Sequence, residues 1–302
     1  MARHNIVFGR DQAVQGGANY NAPQFGRSQS AGPSPDTQWS SGFAPQGQTA
    51  PGADQLEAMY ARPAATGHDT GRMTMRDALN AITATLGVIV VVGAFVALLP
   101  YLALLVGGEQ AALLTRGLVG AATLIGVLGG FILSMVNIFK KKPSAALVIA
   151  YAAFEGLFLG GISASMEFIY PGIAFQAVLG TLAVAGTVLV LFRMGILRTS
   201  PKLTKIFMIA MIAYLLFGLV NIGTMLLMGQ SLREGGLGLV IGGLAVVMAS
   251  YSLVMDFEDV QRAANAGVPR VYAWRVAFGL AVTLVWLYIE ILRILAILRG
   301  ND

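Results

Sequence analysis

Gly236-Leu-Gly-Leu-Val-Ile-Gly-Gly-Leu-Ala-Val-Val-Met-Ala-Ser-Tyr-Ser-Leu-Val-Met-Asp256-Phe257, followed after a short polar loop by a second apolar run over 271–298, decides what kind of molecule this is. Each run has about the 20 residues that a helix needs to cross a hydrocarbon core roughly 30 Å thick. Each also carries an acid. Asp256 closes the first run, and Glu290 sits inside the second, in Leu284-Val-Trp-Leu-Tyr-Ile-Glu290-Ile-Leu-Arg293-Ile-Leu. A carboxylate at the centre of a bilayer costs at least about 2.5 kcal/mol, so it calls for a partner, a water-filled cavity or a proton.

Five more runs of the same kind precede these two, at about 79–105, 113–139, 144–166, 172–193 and 205–228. Run length and the lack of strict alternation predict helices, not a barrel. The fold class expected is an all-α membrane protein, a seven-transmembrane-helix bundle over residues 73–302. Composition agrees: 56% of the 302 residues are hydrophobic and only 12% charged, about half the charge of a soluble domain. Mean hydropathy is +0.70.

Residues 1–72 read differently. They are rich in Gly, Gln, Ser and Pro, as in Gln24-Phe-Gly-Arg-Ser-Gln-Ser-Ala-Gly-Pro33, and hold too little apolar surface to offset chain entropy. A disordered cytoplasmic tail is predicted there. It contains no signal-peptide core, so the first span is read as an uncleaved anchor. Six Lys/Arg against six Asp/Glu before Leu79 leave the segment neutral, with no electrostatic tether to lipid.

The basic residues give the orientation. With the N-terminus inside, the inner side collects those six together with Lys140, Lys141, Lys142, Arg193, Arg198, Lys202, Lys205, Arg262, Arg270 and Arg275. The outer side keeps Arg116, Arg233, Arg293 and Arg299. This positive-inside bias predicts a plasma-membrane protein with a cytoplasmic N-terminus and an outer C-terminus. It also explains the pI of 9.6 without nucleic acid as a partner.

Several function classes are excluded by what is missing. There is no cysteine, and His4 and His68 both lie in the tail, so the spans offer no thiolate, no imidazole ligand for haem and no histidine base. An intramembrane aspartyl protease needs two facing aspartates, and Asp256 is the only one in the spans. No enzyme and no cofactor are expected.

The acids in the spans are the candidate functional groups. Glu155, in Tyr151-Ala-Ala-Phe-Glu155-Gly-Leu-Phe-Leu-Gly160, lies near the midplane. Glu167, beside the Tyr170-Pro171-Gly172 turn, is read as a solvated loop acid. Glu290 has Arg293 three residues on, so an intrahelical ion pair is available. Alternatively it meets Asp256 or Glu155 in the bundle interior. Two adjacent carboxylates cannot easily both ionise, and such a pair holds a proton or attracts a hard cation such as calcium. Gly126/Gly130, Gly156/Gly160 and Gly238/Gly242 are small-xxx-small pairs that let helix backbones approach, here read as packing within one bundle. Tyr272 and Trp274 are read as interfacial anchors, Trp286 and Tyr288 as packing groups.

Residues 73–300 resemble the transmembrane Bax-inhibitor-motif family, in its bacterial YccA-like branch. The resemblance is carried by Glu155-Gly156 in the third span, Pro171-Gly172-Ile-Ala-Phe-Gln176-Ala177, Ser252-Leu-Val-Met-Asp256-Phe257, and Leu287-Tyr-Ile-Glu290-Ile-Leu-Arg293-Ile-Leu. It implies a seven-helix bundle with the last helix central and a pH-modulated cation leak, calcium being the ion implied. It also implies a proton-sensing latch of two acids from the sixth and seventh helices. Asp256 matches the first, and Glu290 the second, because Leu287-Tyr-Ile-Glu290 reads like the family's Leu-Tyr-Leu-Asp. Arg116, at the outer start of the second span, is the candidate for the basic residue that leak-type members carry there. The stretch from Asp256 to Glu290 is longer than in those members. If the excess lies in the inner loop the two acids meet; if it extends the helices they sit at different depths. The alternative function that the branch implies is regulation of a membrane-bound protease or stress-response machinery, with the tail as the working part and no transport.

Overall fold

A computed structural model describes residues 71–300. The tail assigned to residues 1–72 therefore lies outside the described residues up to position 70. Six helices make up the described chain: α1 (Met75–Phe139), α2 (Ala145–Ile169), α3 (Ile173–Arg193), α4 (Pro201–Met228), α5 (Gly235–Asn265) and α6 (Ala273–Gly300). All are long and apolar enough to cross a membrane.

The first two runs have merged into one 65-residue helix. Straight, it would extend about 97 Å, some three times the hydrocarbon core. It is not straight. Gly108 has φ 70° and ψ −164°, outside the helical region and accessible at low cost only to glycine. On either side of it the chain packs on α2 in opposite directions. Ile89 and Val92 lie against Gly156, and Gly93 and Val96 against Gly160, a parallel register. Thr123 faces Gly161, Gly126 faces Phe158, and Gly130 faces Glu155, an antiparallel register. The chain therefore turns back at Gly108 and passes α2 twice.

α6 is the central element. Phe278, Ala281 and Val285 pack with Tyr151, Ala152 and Ile89 from α2 and α1. Leu287 packs with Val188, Phe192 and Leu253 from α3 and α5. Tyr288 and Leu292 close on Ile173 and Ala177 of α3. Large apolar side chains on the periphery, Val106 at 91% exposure and Leu227 at 88%, form the surface that hydrocarbon would cover. α4 is the most peripheral helix, with only Thr204 and Phe207 buried.

Three local readings change. α5 continues past Phe257 to Asn265, because Arg262 pairs with Glu258 and Asp259 one turn back, at 3.5 and 2.7 Å. Glu167 is not a loop acid left to solvent: it accepts backbone N–H bonds from Gly172 (2.5 Å) and Ala174 (3.0 Å), satisfying orphan donors at the start of α3. Tyr272 is buried at 7% exposure in a core with Met73, Ala78 and Val276, so it packs instead of anchoring at an interface. The chain entering α1 is strapped to the α5–α6 turn by Met73 N–H to Val268 O (2.7 Å) and by Arg270 to Asp77 (2.7 Å).

All three glycine pairs lie at contacts within the bundle. A Cβ on Gly126 would fall 2.5 Å from Phe158 N, whereas one on Gly120 would meet nothing within 4 Å. Gly126→Val is therefore expected to lower stability by about 1–3 kcal/mol, as overpacking does, and Gly120→Ala to leave it unchanged or slightly raised. Thermal unfolding of the two variants in one detergent checks this, and equal melting temperatures would contradict the close approach of α1 and α2.

Candidate functional site

Glu290 is the most deeply buried charge among the described residues, at 1% exposure on the central helix. Three side chains from three elements converge on it. Arg293, one turn on in α6, pairs with Oε2. Arg233, from the α4–α5 connection, places Nη2 3.6 Å from Oε1. Tyr214 of α4 donates its hydroxyl to Oε1 and accepts from Arg233 Nη2 at 2.5 Å. Arg233 also stacks on the Tyr214 ring at 4.9 Å, and Tyr214 lies 5.5 Å from Trp286.

The connection is shaped to deliver Arg233. Gly229 ends α4 with φ 68°. Asn221 Oδ1 then accepts from Leu232 N–H (2.7 Å) and the Ser231 hydroxyl (3.2 Å), while Ser231 Oγ accepts from Arg233 N–H (3.1 Å). Two guanidiniums on one carboxylate satisfy the charge that burial would otherwise penalise by several kcal/mol. Of the two arrangements open to Glu290, the pair with Arg293 is the one formed, and Arg233 and Tyr214 are its unforeseen members.

Asp256 occupies a separate level. Its Oδ1 lies 3.7 Å from where a Cβ on Gly279 would stand, with the Thr283 side chain beside it. Thr283 is in turn 3.2 Å from Ser252 Oγ. Oδ2 is shut off from solvent and has no hydrogen-bond partner. Glu155 forms a third station. Tyr151 lies beside it, and its Oε1 approaches Gly130, where a Cβ would be 3.2 Å away. Its Oε2 is likewise buried without a partner.

The three acids do not converge. Along the α5–α6 interface Asp256 faces Gly279, Ser252 faces Thr283, Gly242 faces Ile294 and Gly238 faces Ile297, one continuous antiparallel register. Glu290 is about three turns beyond Gly279, roughly 16 Å along the axis. α5 runs on past Asp256 to Asn265, and the two acids sit at different depths. Arg116 is remote from all three, its guanidinium 3.8 Å over the Phe168 ring. Among the described residues no three acids or histidines come close enough to hold a metal ion together.

A family model described as Bax inhibitor 1 like matches residues 11–300, and the chain belongs to that family. The match starts well before the first described helix, so it takes in most of the N-terminal segment that the spans alone would leave out. No curated protein and no solved structure matches the chain.

The Glu290 cluster generates a stability prediction. Glu290→Gln leaves two guanidiniums sharing a neutral amide and is expected to cost about 3 kcal/mol, the low end for breaking a buried pair because the Arg233 and Arg293 side chains keep 16% and 21% exposure. Tyr214→Phe removes two hydrogen bonds to charged groups but leaves the carboxylate paired with both arginines, and is expected to cost about 2 kcal/mol. Denaturant unfolding in micelles measures both. A Tyr214→Phe loss equal to or larger than that of Glu290→Gln would contradict a carboxylate-centred cluster.

Proposed function

We propose that this family member is a seven-span protein of the plasma membrane, N-terminus cytoplasmic, that passes cations, calcium foremost, in a pH-modulated leak rather than acting as an enzyme. The seven-span count follows from taking α1 as two crossings joined at Gly108. The observation that carries the reading is the pair of orphaned oxygens, Asp256 Oδ2 and Glu155 Oε2, each buried in an apolar bundle without a protein partner. A carboxylate oxygen in that setting needs a proton, a water or a cation, and exchange between proton and hard cation is what a pH-modulated leak requires.

On this reading Asp256 and Glu155 are the ion-contacting carboxylates. Glu290 belongs to the gate: with Arg293 and Arg233 it clamps the peripheral α4 and the α4–α5 connection onto central α6. Thr283 and Ser252 supply neutral oxygens beside Asp256, which suit a hard cation and its accompanying water. Arg116 stands off this path.

Calcium flux into dye-loaded proteoliposomes, measured from acid to alkaline pH, tests the proposal. Asp256→Asn is expected to flatten the pH dependence and Glu155→Gln to lower the flux several-fold, both with a thermal unfolding midpoint close to that of the unmodified chain. Flux no greater than in empty vesicles at every pH would sink the leak, and unchanged pH dependence in Asp256→Asn would remove that residue from it.

A further inference from the structure

At the Gly108 end of the bundle a cavity of about 550 Å³ opens between the two halves of α1 and the C-terminal turn of α2. That is the size of a small-molecule site. Its walls are apolar, with Pro100, Leu104, Ala112 and Phe168 among them, yet two opposite charges line it as well, Glu109 and Arg116.

The two charges are arranged for use. They stand seven residues apart on one helix, two turns and about 10 Å along the same face. Phe168 holds the Arg116 guanidinium face-on at 3.8 Å. Stacking of this kind fixes the group while leaving its in-plane N–H donors available. No hydrogen bond or ion pair engages Arg116 or Glu109 among the described residues, and both are exposed. The surrounding surface is hydrocarbon-facing, with Leu105 at 82% and Val106 at 91% exposure. The cavity thus sits where spans leave the bilayer, at headgroup depth, with an apolar floor for a chain.

We propose that this cavity is a binding site for phosphatidylethanolamine. The phosphate takes the guanidinium edge of Arg116, a charge-assisted and bidentate match. The primary ammonium donates to the Glu109 carboxylate, and an acyl chain follows Leu104 and Pro100. The balanced charges set the choice among lipids. An anionic headgroup without an amine would leave Glu109 opposed by like charge, and a trimethylammonium has no N–H to donate. The site does not depend on whether ions cross the bundle.

Native mass spectrometry of the full chain in micelles tests this, with dioleoyl phosphatidylethanolamine, phosphatidylcholine and phosphatidylglycerol added at equal concentration. Phosphatidylethanolamine is expected to be retained roughly tenfold over the other two, the scale of one charge-assisted hydrogen bond. Arg116→Gln should abolish that retention, and Glu109→Gln should reduce phosphatidylethanolamine to the level of phosphatidylcholine. The lipid-induced rise in melting temperature should follow the same order. Equal retention of all three lipids, a preference for phosphatidylglycerol, or wild-type retention in both variants would overturn the assignment.

Discussion

A carboxylate at 1% exposure in an apolar bundle has to be neutralised where it stands, and the arrangement of three elements follows from how Glu290 is neutralised. Arg293 supplies one charge from the same helix. The second must come from outside it, and Arg233 does so only because the α4–α5 connection folds back over Asn221 and Ser231. Tyr214 bridges the two, and in doing so gives α4 a polar attachment far from the few residues buried at its start. Without this attachment α4 would be held mainly at its beginning, through Thr204 and Phe207 against Tyr251. The buried charge acts as an anchor for a helix that packing alone barely holds.

The α5–α6 register separates the chemistry into two places. Ser252, Thr283, Gly279 and Asp256 form a small polar station toward the α5–α6 turn, and the Glu290 cluster forms another toward the opposite end. At the first, a Cβ on Gly279 would stand 3.7 Å from Asp256 Oδ1, an ordinary contact distance. At the second, Gly242 and Gly238 let Ile294 and Ile297 of α6 approach α5. One interface thus carries an unpaired, buried carboxylate oxygen at one level and a closed ion pair at another. A latch in which Asp256 and Glu290 touch would need α5 to slide along α6 by about three turns, which close-packed glycine contacts oppose.

Much of this was legible in the chain. Span lengths, the turn-back between the first two runs and the intramolecular use of the glycine pairs follow from hydropathy and spacing. The i,i+3 placement of Glu290 and Arg293 offers their pair as one of two arrangements, and it is the one the structure forms. Other parts were not legible, for physical reasons. Arg233 looked like any outer-loop cation, since nothing in Gly229-Gln-Ser-Leu-Arg233 marks where a loop will fold. Tyr214 lies in a run apolar on every side, which gives its face no signature. Hydropathy does not mark the end of α5, because it stops at Phe257, whereas the Glu258, Asp259 and Arg262 pairs carry the helix on. Whether the two acids meet is set by the register, which places Asp256 opposite Gly279.

The register is therefore the quantity to measure, and a chain without cysteine is a ready background for it. Ser252→Cys combined with Thr283→Cys places two thiols where the hydroxyls now stand 3.2 Å apart, close enough for a disulfide. Ser252→Cys combined with Ile294→Cys tests the alternative register, in which Asp256 would lie opposite Glu290. Mild oxidation in membranes, followed by mass spectrometry of the linked peptides, should give the 252–283 disulfide in high yield and none between 252 and 294. A 252–294 disulfide in place of the first would contradict the separation of the two acids on which the whole account turns.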